Sequence, residues 1–214
     1  MTTAPPGPDA RTTRRREQTR ARLLAAALDV LGEQGLARSS VESVCERAGF
    51  TRGAFYSNFA TMDDVVAALY TSQAAALVDR VTERLADGLP GTDLDQVVGH
   101  VLEVLPVDRQ WHAVRAEFTA QALRNPDAAA ALAEHRARLR AELAPVLVAA
   151  LHRIGRRPAV GADDLVRALV TAHEGLVTST LLGEGPGVGT RLLSATLAAF
   201  TEESTEESTG EVPS

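Results

Sequence analysis

Lysine is missing from this 214-residue chain: all 22 basic residues are arginine, a bias that reads mostly as GC-rich coding. Cysteine is nearly missing too. The one cysteine, Cys45, excludes an internal disulfide and suits a reducing cytoplasm. No apolar run approaches the ~20 residues needed to span a bilayer. The longest, over residues 144–151, is far shorter, and no signal peptide is legible at the start. A cytoplasmic protein with no membrane partner is therefore expected. Catalytic signatures are equally scarce. There is no Walker loop, Gly-x-Ser-x-Gly, His-Glu-x-x-His or Cys-x-x-Cys, and the five histidines form no i, i+4 pair. No enzyme chemistry, cofactor or metal site is expected. Gly185, Gly187 and Gly189 imitate a phosphate loop only superficially, because they join two helical stretches and follow no strand.

The charge is unevenly placed. The chain carries a formal net charge of −6, yet residues 1–60 hold nine Arg against six acidic residues, a net of +3. Residues 61–214 hold thirteen Arg against twenty-two acidic residues, a net of −9. A basic small end on an acidic large end suits a protein that presents one face to phosphate.

Within the basic end, residues 41–59 read VESVCERAGFTRGAFYSNF. Val41, Val44, Cys45 and Ala48 fall at i, i+3, i+4 and i+7, one narrow apolar stripe on a helix. Ser39 and Glu42 have capping-box spacing for its start. Gly49 stands where a tight turn needs a left-handed residue, and Thr51 can cap a second helix whose Phe55 and Phe59 return to the same core. The second helix turns Arg52, Gly53, Tyr56, Ser57 and Asn58 outward. This spacing fits a helix-turn-helix, and by pattern alone it also fits a structural αα-corner. A helix over residues 15–34, with Leu24, Ala27, Leu28 and Leu31 on one face, precedes it. Thr61 and Asp64 open a longer helix after it, carrying Val65, Ala68 and Leu69.

The stretch GFTRGAFYSNF, inside three short helices and a longer fourth, resembles the signature of the TetR (tetracycline-repressor-like) family of regulators. The resemblance is strong over residues 15–70 and covers the rest only as a helix plan. It implies double-stranded operator DNA as partner. Arg52 protrudes from the first turn, suited to bidentate guanine contact, and Gly53 and Ala54 permit close approach, with Ala54 near a thymine methyl. Thr51 and Tyr56 resemble the family's phosphate-contacting hydroxyls, and Asn58 stands where the family often has His or Tyr. Arg14, Arg15 and Arg16 either contact DNA from a flexible arm or form a solvated charge run. The family often carries a lysine just after the fourth helix's N-cap. This chain has Met62 there, leaving the arm or Arg38, with Ser39 beside it, to compensate.

The remaining sequence reads as helix after helix, broken at Gly88–Gly91, Pro106, Asn125-Pro126, residues 155–161 and GEGPGVG, with Pro145 expected to kink or split one long helix. The expected fold is all-α, with nine or ten helices: an N-terminal three-helix helix-turn-helix domain plus a C-terminal helical ligand-binding and dimerisation domain. Expected boundaries are a disordered arm over 1–13, the DNA-binding domain over 14–60, the ligand-binding and dimerisation domain over 61–201, and a disordered acidic tail over 202–214.

In the family, a small molecule bound against the fourth helix moves the DNA-binding domains apart. Residues unusual in an Ala/Leu/Val-rich bundle are candidates to line such a site: Tyr70, His100, Trp111, Glu117, Phe118, Gln121 and His173. Each could equally fill core. The family pairs its terminal helices as a homodimer, which makes Leu165, Leu169, Ala172, Leu176, Leu182, Leu192, Leu193, Leu197 and Phe200 interface candidates. The same apolar faces also suit the monomer's own core. The expected function is a DNA-binding transcriptional regulator, a homodimeric repressor released from a near-palindromic operator by an unknown small-molecule effector. A helical small-molecule-binding protein without sequence-specific DNA binding, and a ligand-independent DNA binder, are the alternatives.

Overall fold

A computed structural model describes residues 8–185 and 187–204, with side chains from residue 13 onward. Among the described residues it contains α1 (Pro8–Gln34), a 3-10 turn (Leu36–Arg38), α2 (Val41–Ala48), α3 (Arg52–Tyr56), α4 (Met62–Ala86), α5 (Leu94–Leu102) and α6 (Arg109–Ala122). There follow α7 (Pro126–Arg153), β1 (Arg156–Pro158), α8 (Ala162–Leu181), α9 (Gly187–Ala199) and β2 (Thr201–Glu203). The all-α expectation holds, and the small antiparallel β1–β2 pair is an addition to it.

Side-chain caps start most of these helices. Ser40 Oγ accepts from Ser43 N at 3.2 Å, and Ser43 Oγ accepts from Ser40 N at 3.0 Å, so a reciprocal box begins α2. The expected box of Ser39 and Glu42 is displaced by one residue, because Ser39 turns back and donates to Gly35 O at 2.7 Å. Thr51 Oγ1 accepts from Ala54 N at 3.2 Å at the start of α3. Thr61 and Asp64 exchange bonds of 3.1 and 2.9 Å at the start of α4. Gly49 closes α2 at φ 69°, and Phe50 N donates to Cys45 O at 3.0 Å in a Schellman-type turn.

Helix α1 is helical from Pro8, seven residues ahead of the expected start, and proline suits a first turn, where its missing N–H has no partner to lose. Residues 1–7 of the expected arm, and the acidic tail beyond residue 204, lie outside the described residues. Helix α7 runs through Pro145 without splitting.

Two compact units emerge, and neither is one continuous stretch. The first comprises residues to 74 together with 108–135; the second comprises 75–107 and 136 onward. Packing therefore joins α6 and the start of α7 to the N-terminal helices, crossing the expected boundary at residue 60. The core of the first unit gathers Leu23, Ala27, Val30 and Leu31 of α1, Val44 and Cys45 of α2, Phe55 and Phe59, Val65 and Leu69 of α4, and Val114 and Phe118 of α6. Burial pushes the Cys45 thiol up from its ordinary value, which keeps it protonated and unreactive. Arg47 forks onto Glu33 at 3.0 and 2.6 Å and so ties α2 to α1. That guanidinium holds the Glu33 carboxyl below its ordinary 4.5. The stabilisation is present above that value and is lost as the pH falls through the lower folded value.

In the second unit, Val97 and Val98 of α5 pack with Leu165, Ala172 and Leu176 of α8 and Leu193 and Leu197 of α9. A second cluster holds Val81 and Leu85 of α4, Leu143 and Ala150 of α7, and Val166. The β1–β2 pair ties the segment after α9 to the one after α7: Arg157 faces Glu202 at 2.8 Å, and Arg156 donates to Thr201 Oγ1 and O, both at 2.9 Å. Three-residue strands are too short for alternation to reveal. The only sequence trace is the complementary charge of Arg156-Arg157 and Glu202-Glu203.

Candidate nucleic-acid interface

Helix α3 has two faces of opposite character. Phe55 is fully buried and Phe59 nearly so, while Thr51, Arg52, Gly53, Tyr56 and Ser57 are exposed, Tyr56 by 58%. Ala54 is half-buried. Phe55 packs edge-on against Tyr56 and tilted against Phe59, with ring centroids 5.5 and 5.8 Å away. Aromatic burial thus fixes which side of a five-residue helix meets solvent, and the exposed side is the one nominated for base and phosphate contact.

Asn58 does not belong to that exposed set. Its Nδ2 folds back to Ala54 O at 2.8 Å, and its Oδ1 is buried without a hydrogen-bond partner, so it closes the end of α3 rather than projecting from it. Arg14, Arg15 and Arg16 are exposed on α1, in helix and not in a flexible arm. Arg16 donates to Ser57 O at 3.1 Å. Arg38 is exposed and donates to Gln34 O at 2.8 Å. Ser39 is half-buried in the bond to Gly35. Met62 packs against the core, which accounts for an apolar residue where the family often has lysine.

Arg52 has a partner that the sequence did not suggest. Its Nη2 pairs with the Glu42 carboxylate in the first turn of α2, both side chains being mostly exposed. An exposed pair of this kind is worth about 0–1 kcal/mol, so Arg52 is easily released to another acceptor. Glu42→Gln is therefore expected to tighten DNA binding by about threefold to fivefold at low salt, through a freer Arg52 and one less anion facing phosphate. Anisotropy titrations at two salt concentrations check this, with the gain shrinking at the higher one.

The effector candidates separate. Tyr70, Trp111, Glu117, Phe118 and Gln121 belong to the first unit, and His100 and His173 to the second. Tyr70 is the hub of an aromatic cluster: Trp111 stands edge-on at 4.8 Å, Phe118 at 5.3 Å, and His135 stacks at 5.3 Å and 13°. His135, a lone histidine on a long helix, gave no signal in the sequence. Glu117 is placed elsewhere. Its Oε2 accepts from Leu36 N at 2.6 Å, and a Cβ on Gly35 would lie 2.7 Å from its Oε1, so it ties α6 to the link between α1 and α2. Gln121 is half-buried. His100 is half-buried with Nε2 unpartnered, and His173 is half-buried.

Most interface candidates lie within the chain's own core. Leu165, Ala172, Leu176, Leu193 and Leu197 are buried, and Leu169 and Phe200 pack against them. Leu192 is exposed, by 51%. Among the described residues Leu182, nominated for the same face, is exposed by 73%, and Val188, not nominated from the sequence, by 82%.

A capped α2, a left-handed glycine and a short α3 with a polar outer face define a helix-turn-helix. The family profile described as bacterial regulatory proteins, tetR family, matches residues 23–69, and that described as BetI-type transcriptional repressor, C-terminal, matches residues 90–204. The chain belongs to the TetR family and is a transcriptional regulator with a helix-turn-helix domain. An HTH-type transcriptional regulator of Mycobacterium tuberculosis is 39% identical over 73 residues, 34% of this chain and 37% of the relative, so little more than a third of that relative's length is matched. A TetR-family transcriptional regulator from Mesorhizobium loti has a similar fold, with TM-score 0.66, 19% identity, and coverage of 87% of this chain and 96% of that one. The multidrug binding protein EbrR, solved with imidazole, gives TM-score 0.58 at 26% identity, covering 84% of this chain and 89% of that one.

Proposed function

We propose that this chain is a homodimeric repressor that leaves a near-palindromic operator when a small molecule binds. The observation that carries the reading is the division of α3, with Phe55 and Phe59 buried and Arg52, Gly53 and Tyr56 exposed. In this reading Arg52 contacts guanine, Thr51, Tyr56 and Ser57 contact phosphate, and Gly53 and Ala54 allow close approach. A two-fold dimer places its recognition helices about 34–36 Å apart, one DNA turn. The test is a gel-shift titration against the chain's own upstream region, with scrambled DNA alongside. A shift without preference for the upstream sequence overturns it.

The dimer surface is assigned to three exposed apolar residues in and just before the last helix, Leu182, Val188 and Leu192. Leu192→Glu is expected to lower the light-scattering mass toward that of a single 22.6 kDa chain and to weaken operator binding with it. An unchanged mass removes Leu192 from the interface.

The effector is assigned to the cluster of Tyr70, Trp111, Phe118 and His135. A similar protein that binds multiple drugs supports a small-molecule ligand. Trp111 is the chain's one tryptophan, so its fluorescence reports on this cluster alone. A compound that displaces operator DNA is expected to alter that fluorescence with the same midpoint. Displacement with no fluorescence change moves the effector elsewhere.

A further inference from the structure

Three arginines of α1 are turned toward the helix-turn-helix itself. A helix leaves its last carbonyls unpaired, with the negative end of its dipole at the same place. In α2 that end is met by Arg22, whose Nη2 donates to Ala48 O at 3.0 Å. In α3 it is met twice: Arg16 Nη2 donates to Ser57 O at 3.1 Å, and Arg20 Nη1 donates to Asn58 O at 3.2 Å. Two of the guanidinium planes also lie over rings beside these ends, Arg20 over Phe59 at 4.3 Å and Arg22 over Phe50 at 4.6 Å. Arg16 and Arg20 stand four apart, one above the other on a single helix face.

Helix α3 needs such support. It is five residues long, well below the length at which a helix holds itself, and Phe55 is its one buried side chain. Thr51 caps its front, and Ser57 Oγ and Asn58 Nδ2 saturate Ala54 O, each at 2.8 Å. The carbonyls of Ser57 and Asn58 lie past that local cap, and the two arginines reach them across 41 and 38 residues of sequence.

We propose that Arg16 and Arg20 are positioning residues for the recognition helix, setting its pitch through the Ser57 and Asn58 carbonyls, while Arg22 does the same for α2 through Ala48. They raise operator affinity by holding α3 rather than by neutralising phosphate. The inference rests on the reading that α3 enters the DNA, and it gives three exposed basic residues a task that net charge does not reveal.

Salt separates the two roles. Removing a phosphate-neutralising arginine lowers the slope of log affinity against log salt by about 0.9, whereas removing a positioning arginine lowers affinity at constant slope. Arg20→Gln is expected to weaken operator binding about tenfold with that slope unchanged. Arg20→Lys keeps the charge but loses the planar fork over Phe59, and is expected not to restore affinity. Amide hydrogen exchange on the free protein provides a readout without DNA: residues 55–59 are expected to exchange faster in Arg20→Gln while the α1 amides keep their protection. A slope lower by about one unit, or rescue by lysine, assigns Arg20 to phosphate and overturns the proposal. Unchanged exchange at residues 55–59 overturns it as well. If the wild-type chain shows no operator preference, the DNA reading falls by itself, and the exchange arm still decides whether Arg20 holds α3.

Discussion

Phe55→Ala is expected to remove about 3–5 kcal/mol from the stability of the first unit and to abolish operator binding. Phe55 is the largest of the fully buried side chains and joins core residues from α1, α2 and α4. Its loss leaves a cavity that Phe59 and Tyr56, the two rings around it, cannot both fill while α3 keeps its direction. Domains of this size are stable by about 5–15 kcal/mol, so the change consumes from about a fifth of that reserve to all of it. At about 2–4 °C per kcal/mol for a chain of this length, the melting temperature falls by about 6 °C or more. Phe55→Leu keeps most of the volume and is expected to cost under about 2 kcal/mol, retaining weakened binding. Calorimetry of the full chain is the measurement. A fall of only a few degrees for Phe55→Ala would mean that α3 is not anchored through this ring.

Much of this anchoring is legible in the sequence because it depends on local spacing. Val44, Cys45 and Ala48 with Gly49, Thr51, Phe55 and Phe59 each do what their interval demands, since helical period and turn chemistry act over a few residues. The misplaced cap marks the limit of that information. Ser39 and Ser40 are both competent, and which one caps α2 depends on where the preceding 3-10 turn ends. Side chains whose role depends on distant partners are harder still. Asn58 has the polarity of a DNA contact, yet it folds onto its own helix, and Glu117 has the look of a ligand partner, yet it meets Leu36 N across 81 residues. Arg16 reads as part of a DNA-contacting arm or of a charge run, and Arg20 and Arg22 give no signal, because their partners lie 26 to 41 residues away. The leucines of α8 and α9 illustrate the same degeneracy: an apolar face states that it will be covered, and not by which surface.

Arg52→Ala is expected to lower operator affinity by about tenfold to a hundredfold while changing binding to unrelated DNA much less. Two neighbours govern the size of that effect. Thr51 caps the helix, so the truncation removes the guanidinium without removing the start of α3. Glu42 pairs with the Arg52 guanidinium through two exposed side chains, a weak contact that competes with a base edge and is readily exchanged for one. Arg52→Lys sharpens the test, because it keeps the charge and loses the fork that fits guanine O6 and N7. Lysine is expected to recover most binding to unrelated DNA and little of the preference for the operator. In a competition series with single base-pair changes, both variants are expected to flatten the response at the same one position in each half-site, leaving the others intact. Equal loss at every position, with a shallower salt dependence, would make Arg52 a phosphate contact and move base reading to Tyr56 or Ala54.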